Sequence, residues 1–120
     1  MPERRVLVVE SEEHLRHMEG CLLEESGFAV FEAETADEGL DCLRNHADEI
    51  ELLVVDADGR GPIDGLAVAR EAKDRWPWIR TVVTSAKAVE HLPPNVVLLH
   101  KPFAPLDLLI VAERTAAAAA

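Results

Sequence analysis

The chain has 120 residues, 48% of them hydrophobic, and a formal net charge of -11 with only three lysines. This length suits a single domain with a core of its own. The acidity repels phosphate backbones, so direct nucleic-acid binding is not expected. No basic, apolar leader opens the sequence and no apolar run nears the roughly 18 residues of a membrane span, so a cytoplasmic protein without membrane contact is expected. Cys21 and Cys42 each fall inside a helical pattern and read as buried, reduced thiols rather than a disulfide.

Residues 5–9 form a β-branched strand. Residues 13–25 then switch to helical spacing, with Leu15, Met18, Leu22 and Leu23 on one side and Gly27 as the stop. Phe28, Val30 and Phe31 make a second strand. Thr35 and Glu38 form a T-x-x-E capping box that opens a helix through Leu40, Cys42 and Leu43. A third strand covers 52–55, and a third helix 65–75, capped by Asp64 and ended by Trp76, Pro77 and Trp78. Strands at 79–83 and 96–99 and a helix from Leu106 to Ala112 complete the pattern. Residues 86–95, with Pro93 and Pro94, leave a short or missing helix between the last two strands. An alanine tail over about 116–120 is either disordered or a continuation of the last helix.

The strands are apolar on consecutive positions and alternate with helices, the pattern of a parallel sheet covered on both faces. In such a sheet the residues that follow the strands meet in one crevice. Three runs deliver chemistry there: Val6 to Val9 ends in Glu10, Leu52 to Val55 ends in Asp56, and Val96 to Leu99 ends shortly before Lys101. Two acids that face each other need a cation to offset their repulsion, which gives Glu10 and Asp56 the character of a metal site. Glu12 and Glu13 read instead as acids favoured in the first turn of a helix that Ser11 caps.

Residues 56–65 contain three glycines and a proline, chemistry that permits tight turns. An EF-hand loop is excluded, because Arg60 sits where an oxygen ligand is needed and Ala67 where the bidentate Glu belongs. Asp56-Ala57-Asp58-Gly59 after an apolar strand also matches the start of an aspartate-nucleophile phosphatase of the haloacid dehalogenase class. No acid downstream of Asp64 stands where that enzyme would need one. A nucleotide-binding flavodoxin-like protein would want glycines and hydroxyls after the first strand, where this chain has Glu10, Ser11, Glu12 and Glu13. Thr84-Ser85 and Lys101-Pro102-Phe103 add a hydroxyl and an ammonium to the same sheet edge. With the two acids they make the parts needed to hold a phosphoryl group on an aspartate beside a divalent cation.

Residues 6–13, 53–65, 82–85 and 99–103 together resemble the receiver domain of bacterial two-component response regulators, over nearly the whole chain and in the right order. The resemblance implies a doubly wound sheet of order 2-1-3-4-5 and a single receiver domain over residues 1–120. It implies Asp56 as phosphoacceptor, Thr84 as switch hydroxyl, Lys101 as phosphate-contacting lysine and Pro102 as a cis-proline. Mg2+ would be held by Glu10, Asp56 and the Asp58 backbone carbonyl. Ser11 replaces the second acid of the family's pair, so the ion would be held weakly there or through water. A sensor histidine kinase or phosphotransfer protein would donate the phosphoryl group, and an unidentified downstream protein would read the switched face. The domain would catalyse only its own phosphorylation and dephosphorylation. Further departures are Arg60 in place of a proline, one extra loop residue, and Leu98 where an aromatic ring commonly moves on activation. The alternatives are a pseudo-receiver that binds partners without phosphorylation and, third, the small phosphatase.

Overall fold

The computed structural model describes residues 4–59 and 61–117. Arg60 and the last three alanines lie outside the described residues. The strands are β1 (Arg4–Val9), β2 (Phe28–Ala33), β3 (Leu52–Asp56), β4 (Arg80–Ser85) and β5 (Val96–His100). The helices are α1 (Glu13–Glu25), α2 (Ala36–His46), α3 (Gly65–Arg75) and α4 (Pro105–Ala117). All strand pairs are parallel, and their order is β2-β1-β3-β4-β5.

Successive residues of β1 and β3 point to opposite faces and both faces are covered, which is why those strands read as unbroken apolar runs. Leu7, Val9, Leu53 and Val55 pack with α2 and α3 through Leu40, Leu43, Val68 and Ala72. Val6, Val8, Leu52 and Val54 pack on the other face with Leu23 of α1 and Leu108 and Ala112 of α4. Each of these valines and leucines contributes roughly 1.5–3 kcal/mol on full burial, so these two layers fix the sheet edge on which the polar residues sit.

The helix boundaries follow local chemistry. Asp64 caps α3 through a bond from the Ala67 amide to its Oδ1 at 2.8 Å. Thr35 accepts from the Glu38 amide at 3.1 Å, while the Glu38 carboxylate accepts from the amide of Glu34, one residue before the cap. Gly27 ends α1 at φ +97°, a conformation costly for any residue with a Cβ. No helix lies between β4 and β5 among the described residues: Pro93 and Pro94 remove amide donors, and His91 and Asn95 take positive φ.

Several details differ from the sequence reading. The cap of α1 is Glu12 rather than Ser11, because a glutamate carboxylate accepts from two amides, those of His14 and Leu15. The buried line of α1 is Glu19, Gly20 and Leu23, with Leu15, Met18 and Leu22 only half-buried beside it. Cys21 is consequently exposed, one helical position off the core-facing line, and Cys42 is half-buried; both are free thiols. A 3-10 turn at Ala47–Glu49, absent from the pattern reading, leads into β3. The alanine tail continues α4 as far as Ala117.

Candidate functional site

Glu10, Asp56, Thr84 and Lys101 meet at the C-terminal edge of the sheet. Asp56 is the last residue of β3, and Thr84 lies beside it in the β3–β4 register. The Ala57 amide donates to the Thr84 carbonyl at 2.8 Å, so the chain leaving β3 stays in register with β4. Lys101 follows β5, its amide bonded to the Ser85 carbonyl at 2.8 Å, and the Lys101-Pro102 bond is cis. The Lys101 ammonium donates to Glu10 Oε1 and to Asp56 Oδ1, each at 2.9 Å. Both acids are buried, and one ammonium is shared between two carboxylates.

Burial pushes the Glu10 carboxyl above its ordinary value, and the nearby Asp56 charge adds to that, against the opposing bonds from Lys101 and the Glu12 amide. Burial works against the Lys101 charge too, but the two carboxylate bonds outweigh it and raise its pKa. The trio carries a net charge of about -1, with the acids repelling across one cation. Donors of this kind, two carboxylates with carbonyl and water oxygens, suit a hard divalent ion such as Mg2+. Among the described residues no three His, Cys, Asp or Glu side chains converge on one point, so a cation here would rest on two acids and neutral oxygens. Ser11 is exposed and lines a cleft of about 10 Å³ with Glu10, Asp56, Thr35 and Gly59. That is room for about one water.

The loops are tied down from several sides. Arg16 donates to the Glu10 carbonyl at 3.1 Å and pairs with Glu32 at 3.3 Å, fastening the β1–α1 turn to β2. The Glu12 amide donates to Glu10 Oε2 at 3.0 Å. The Asp58 amide donates to Asp56 Oδ1 at 2.9 Å. Among the described residues, the bonds to the Asp56 carboxylate therefore all go to Oδ1, which leaves Oδ2 free for chemistry.

The side chain of Asp58 makes a contact that the sequence did not suggest. It accepts from Ser85 Oγ at 2.9 Å and from the Ala86 amide at 2.6 Å, and Ser85 Oγ accepts in turn from the Lys87 amide at 3.0 Å. A carboxylate from the β3–α3 loop thus clasps the start of residues 86–95. Bonds to a charged acceptor contribute roughly 1.5–3 kcal/mol when well buried, and Asp58 is only half-buried. Asp58→Ala should therefore cost about 1–2 kcal/mol and speed amide exchange selectively in residues 86–95; unchanged exchange there would show that the clasp is dispensable.

The strand order β2-β1-β3-β4-β5, with helices on both faces, gives this chain the fold of two-component response-regulator receivers. A response regulator receiver protein from Sinorhizobium medicae matches with a TM-score of 0.91 at 24% identity, over 98% of both chains. A CheY-like response regulator receiver domain protein from Methanospirillum hungatei matches at 0.89 and 22% identity, over 98% of this chain and 96% of that one. NtrX from Brucella abortus, a longer protein of which 28% is covered, matches 98% of this chain at 0.85 and 27% identity. No family model and no curated protein matches the sequence.

Proposed function

We propose that this domain accepts a phosphoryl group on Asp56 from the phosphohistidine of a sensor kinase or phosphotransfer protein and thereby switches a protein-binding face. The observation that supports this best is the single ammonium of Lys101 shared at 2.9 Å between Glu10 and Asp56 on the open edge of the sheet. The receiver fold of the neighbours supports it independently. In this reading the protein is a cytoplasmic signalling domain, and its only catalysis is on itself.

Asp56 Oδ2 is the nucleophile, since Oδ1 is engaged by Lys101 and the Asp58 amide. It attacks phosphorus as the P–N bond of a protonated phosphohistidine breaks, and the imidazole leaves neutral with the bonding pair. Lys101 neutralises charge on the transferred group and holds Asp56 in place for attack. Thr84, one strand over, supplies a hydroxyl to the new anion. Mg2+, which Glu10, Asp56 and the Asp58 carbonyl would hold, supplies further charge neutralisation. The phosphoryl group adds about -1.5 to -2 charges and three acceptors. Lys101 can then leave Glu10 for the phosphoryl oxygens, and Thr84 draws on the segment that Asp58 clasps. With Leu98 in β5 there is no aromatic ring to swing, so the readout falls on residues 86–95.

Ser11 makes Mg2+ binding weak in this reading, and Ser11→Asp should tighten it at least tenfold. A unit charge about 4 Å from another contributes about 4 kcal/mol at an effective dielectric near 20, the divalent ion doubles that, and only about 1.4 kcal/mol need survive desolvation for a tenfold gain. Mg2+ titrations followed by NMR shifts in both proteins test this; equal or weaker binding by the variant shows that Ser11 does not face the ion. The same titration addresses the pseudo-receiver alternative, which Ser11 favours: no binding by the parent would support it.

A further inference from the structure

Glu19 lies in the middle of α1 on its core-facing side, 1% exposed, with its Oε2 bonded to nothing among the described residues. One turn before it, Leu15 lines an apolar cleft of about 320 Å³ with Lys101, Pro102, Phe103 and Ala86. One turn after it, Leu23 joins the core formed by Val6, Val8, Leu108 and Ala112. Glu19 is thus flanked along α1 by one leucine that borders the cleft beside Lys101 and another that belongs to the core. Three charged groups act on it through space: Glu10 after β1, Asp56 at the end of β3, and Lys101 after β5. On the elements packed against α1, Glu32 of β2 pairs with Arg16 and Glu113 of α4 with Arg4. The side of α4 that joins this core is apolar, through Leu108 and Ala112.

A buried acid with an unpartnered oxygen is costly as an anion and much less so as the neutral acid. Here the neighbouring charges sum to one negative, so they too favour the proton. We propose that Glu19 is a proton-carrying positioning residue of this site: protonated, it leaves Lys101 to the Asp56 side and accommodates the phosphoryl charge; ionised, it sets a third buried carboxylate against that charge. The inference rests on the phosphoacceptor reading of Asp56. Burial chiefly, with Glu10 and Asp56 adding and Lys101 opposing, pushes the Glu19 carboxyl up to about 8. The proton is therefore exchanged within a degree of alkalinity that experiments reach. Coupling is reciprocal: a phosphoryl group that favours the proton on Glu19 is itself favoured by that proton.

Two measurements test this. In the metal-free protein, without phosphodonor, the 13C resonance of the Glu19 carboxyl, assigned by its loss in Glu19→Gln, should titrate with a midpoint near 8. The midpoint should fall in Asp56→Asn, which removes one nearby anion. A midpoint in the ordinary carboxylate range, or one that Asp56→Asn leaves unmoved, overturns the proposal. Second, the initial rate of labelling by acetyl phosphate with Mg2+ should drop about tenfold more between pH 7 and pH 9 in the parent than in Glu19→Gln. That factor is the loss of the protonated fraction over this interval. Equal drops in parent and variant overturn the role of Glu19 while leaving Asp56 as phosphoacceptor; no labelling of the parent at either pH overturns the phosphoacceptor reading and this inference with it. Glu19→Met, of similar volume and uncharged, replaces Glu19→Gln should the amide prevent folding.

Discussion

Replacing Gly65 by alanine is expected to destabilise the fold by about 3 kcal/mol, although alanine is the better helix former by about 1 kcal/mol. Gly65 is the first residue of α3 and is buried directly against the chain leaving β3. A Cβ there would overlap the Asp56 carbonyl oxygen and come within 2.8 Å of the Asp56 carbonyl carbon and 3.1 Å of Ala57 Cα. All three are backbone atoms, so no side-chain rotation relieves the clash. Either α3 or the end of β3 must move, and moving the latter displaces Asp56. Urea melts of Gly65→Ala should show a lower midpoint with an unchanged slope. Stability within about 0.5 kcal/mol of the parent would mean that α3 starts farther from β3 than described.

Lys101→Met is the second large effect. It leaves Glu10 and Asp56, both buried, without the ammonium that bridges them. Removing one partner of a buried pair costs about 3–5 kcal/mol; Lys101 keeps partial contact with water, so about 2–3 kcal/mol is expected at pH 7. The sign with pH follows from Glu10. Its folded pKa already lies above the unfolded value of 4.5, and losing the lysine's bonds raises it further. Between those two values the folded variant binds more protons than the unfolded chain, so stability falls as pH rises from about 4.5 through the folded pKa and returns on acidification. The deficit should therefore shrink between pH 7 and pH 5. Mg2+ should restore more stability to the variant than to the parent, because the ion no longer competes with an ammonium. Thermal melts at both pH values, with and without Mg2+, check this; a deficit that grows on acidification contradicts the charge argument.

The two strand-end acids were legible in the sequence because a fully buried parallel strand has no polar residue until it ends. Glu10 and Asp56 each punctuate such a run, while Lys101 follows the half-exposed edge strand β5, whose apolar run Val96 to Leu99 is closed by His100. The helices at 13–25 and 65–75 were legible to the residue, since Gly27 and Asp64 mark their limits. The strand at 79–83 proved to be 80–85, because Thr84 and Ser85 stay in the ladder beside Asp56 and His100 although they are polar. Glu19 was hidden by its charge. Its spacing of four from both Leu15 and Leu23 placed it on the core face, but a glutamate there reads as surface, and the eye takes Met18 and Leu22 instead. The clasp of Asp58 had no local signal at all. Its partners, Ser85 and Ala86, are 27 and 28 residues away, and only strand pairing brings them near.

The proposed function requires Asp56 to be the one residue that takes a phosphoryl group. Intact-mass analysis after incubation with Mg2+ and acetyl phosphate tests that directly, on the parent and on Asp56→Asn. The parent should gain a single phosphoryl mass and the variant none. Equal labelling of the two, or a parent that gains no mass while a known receiver treated alongside does, would contradict it.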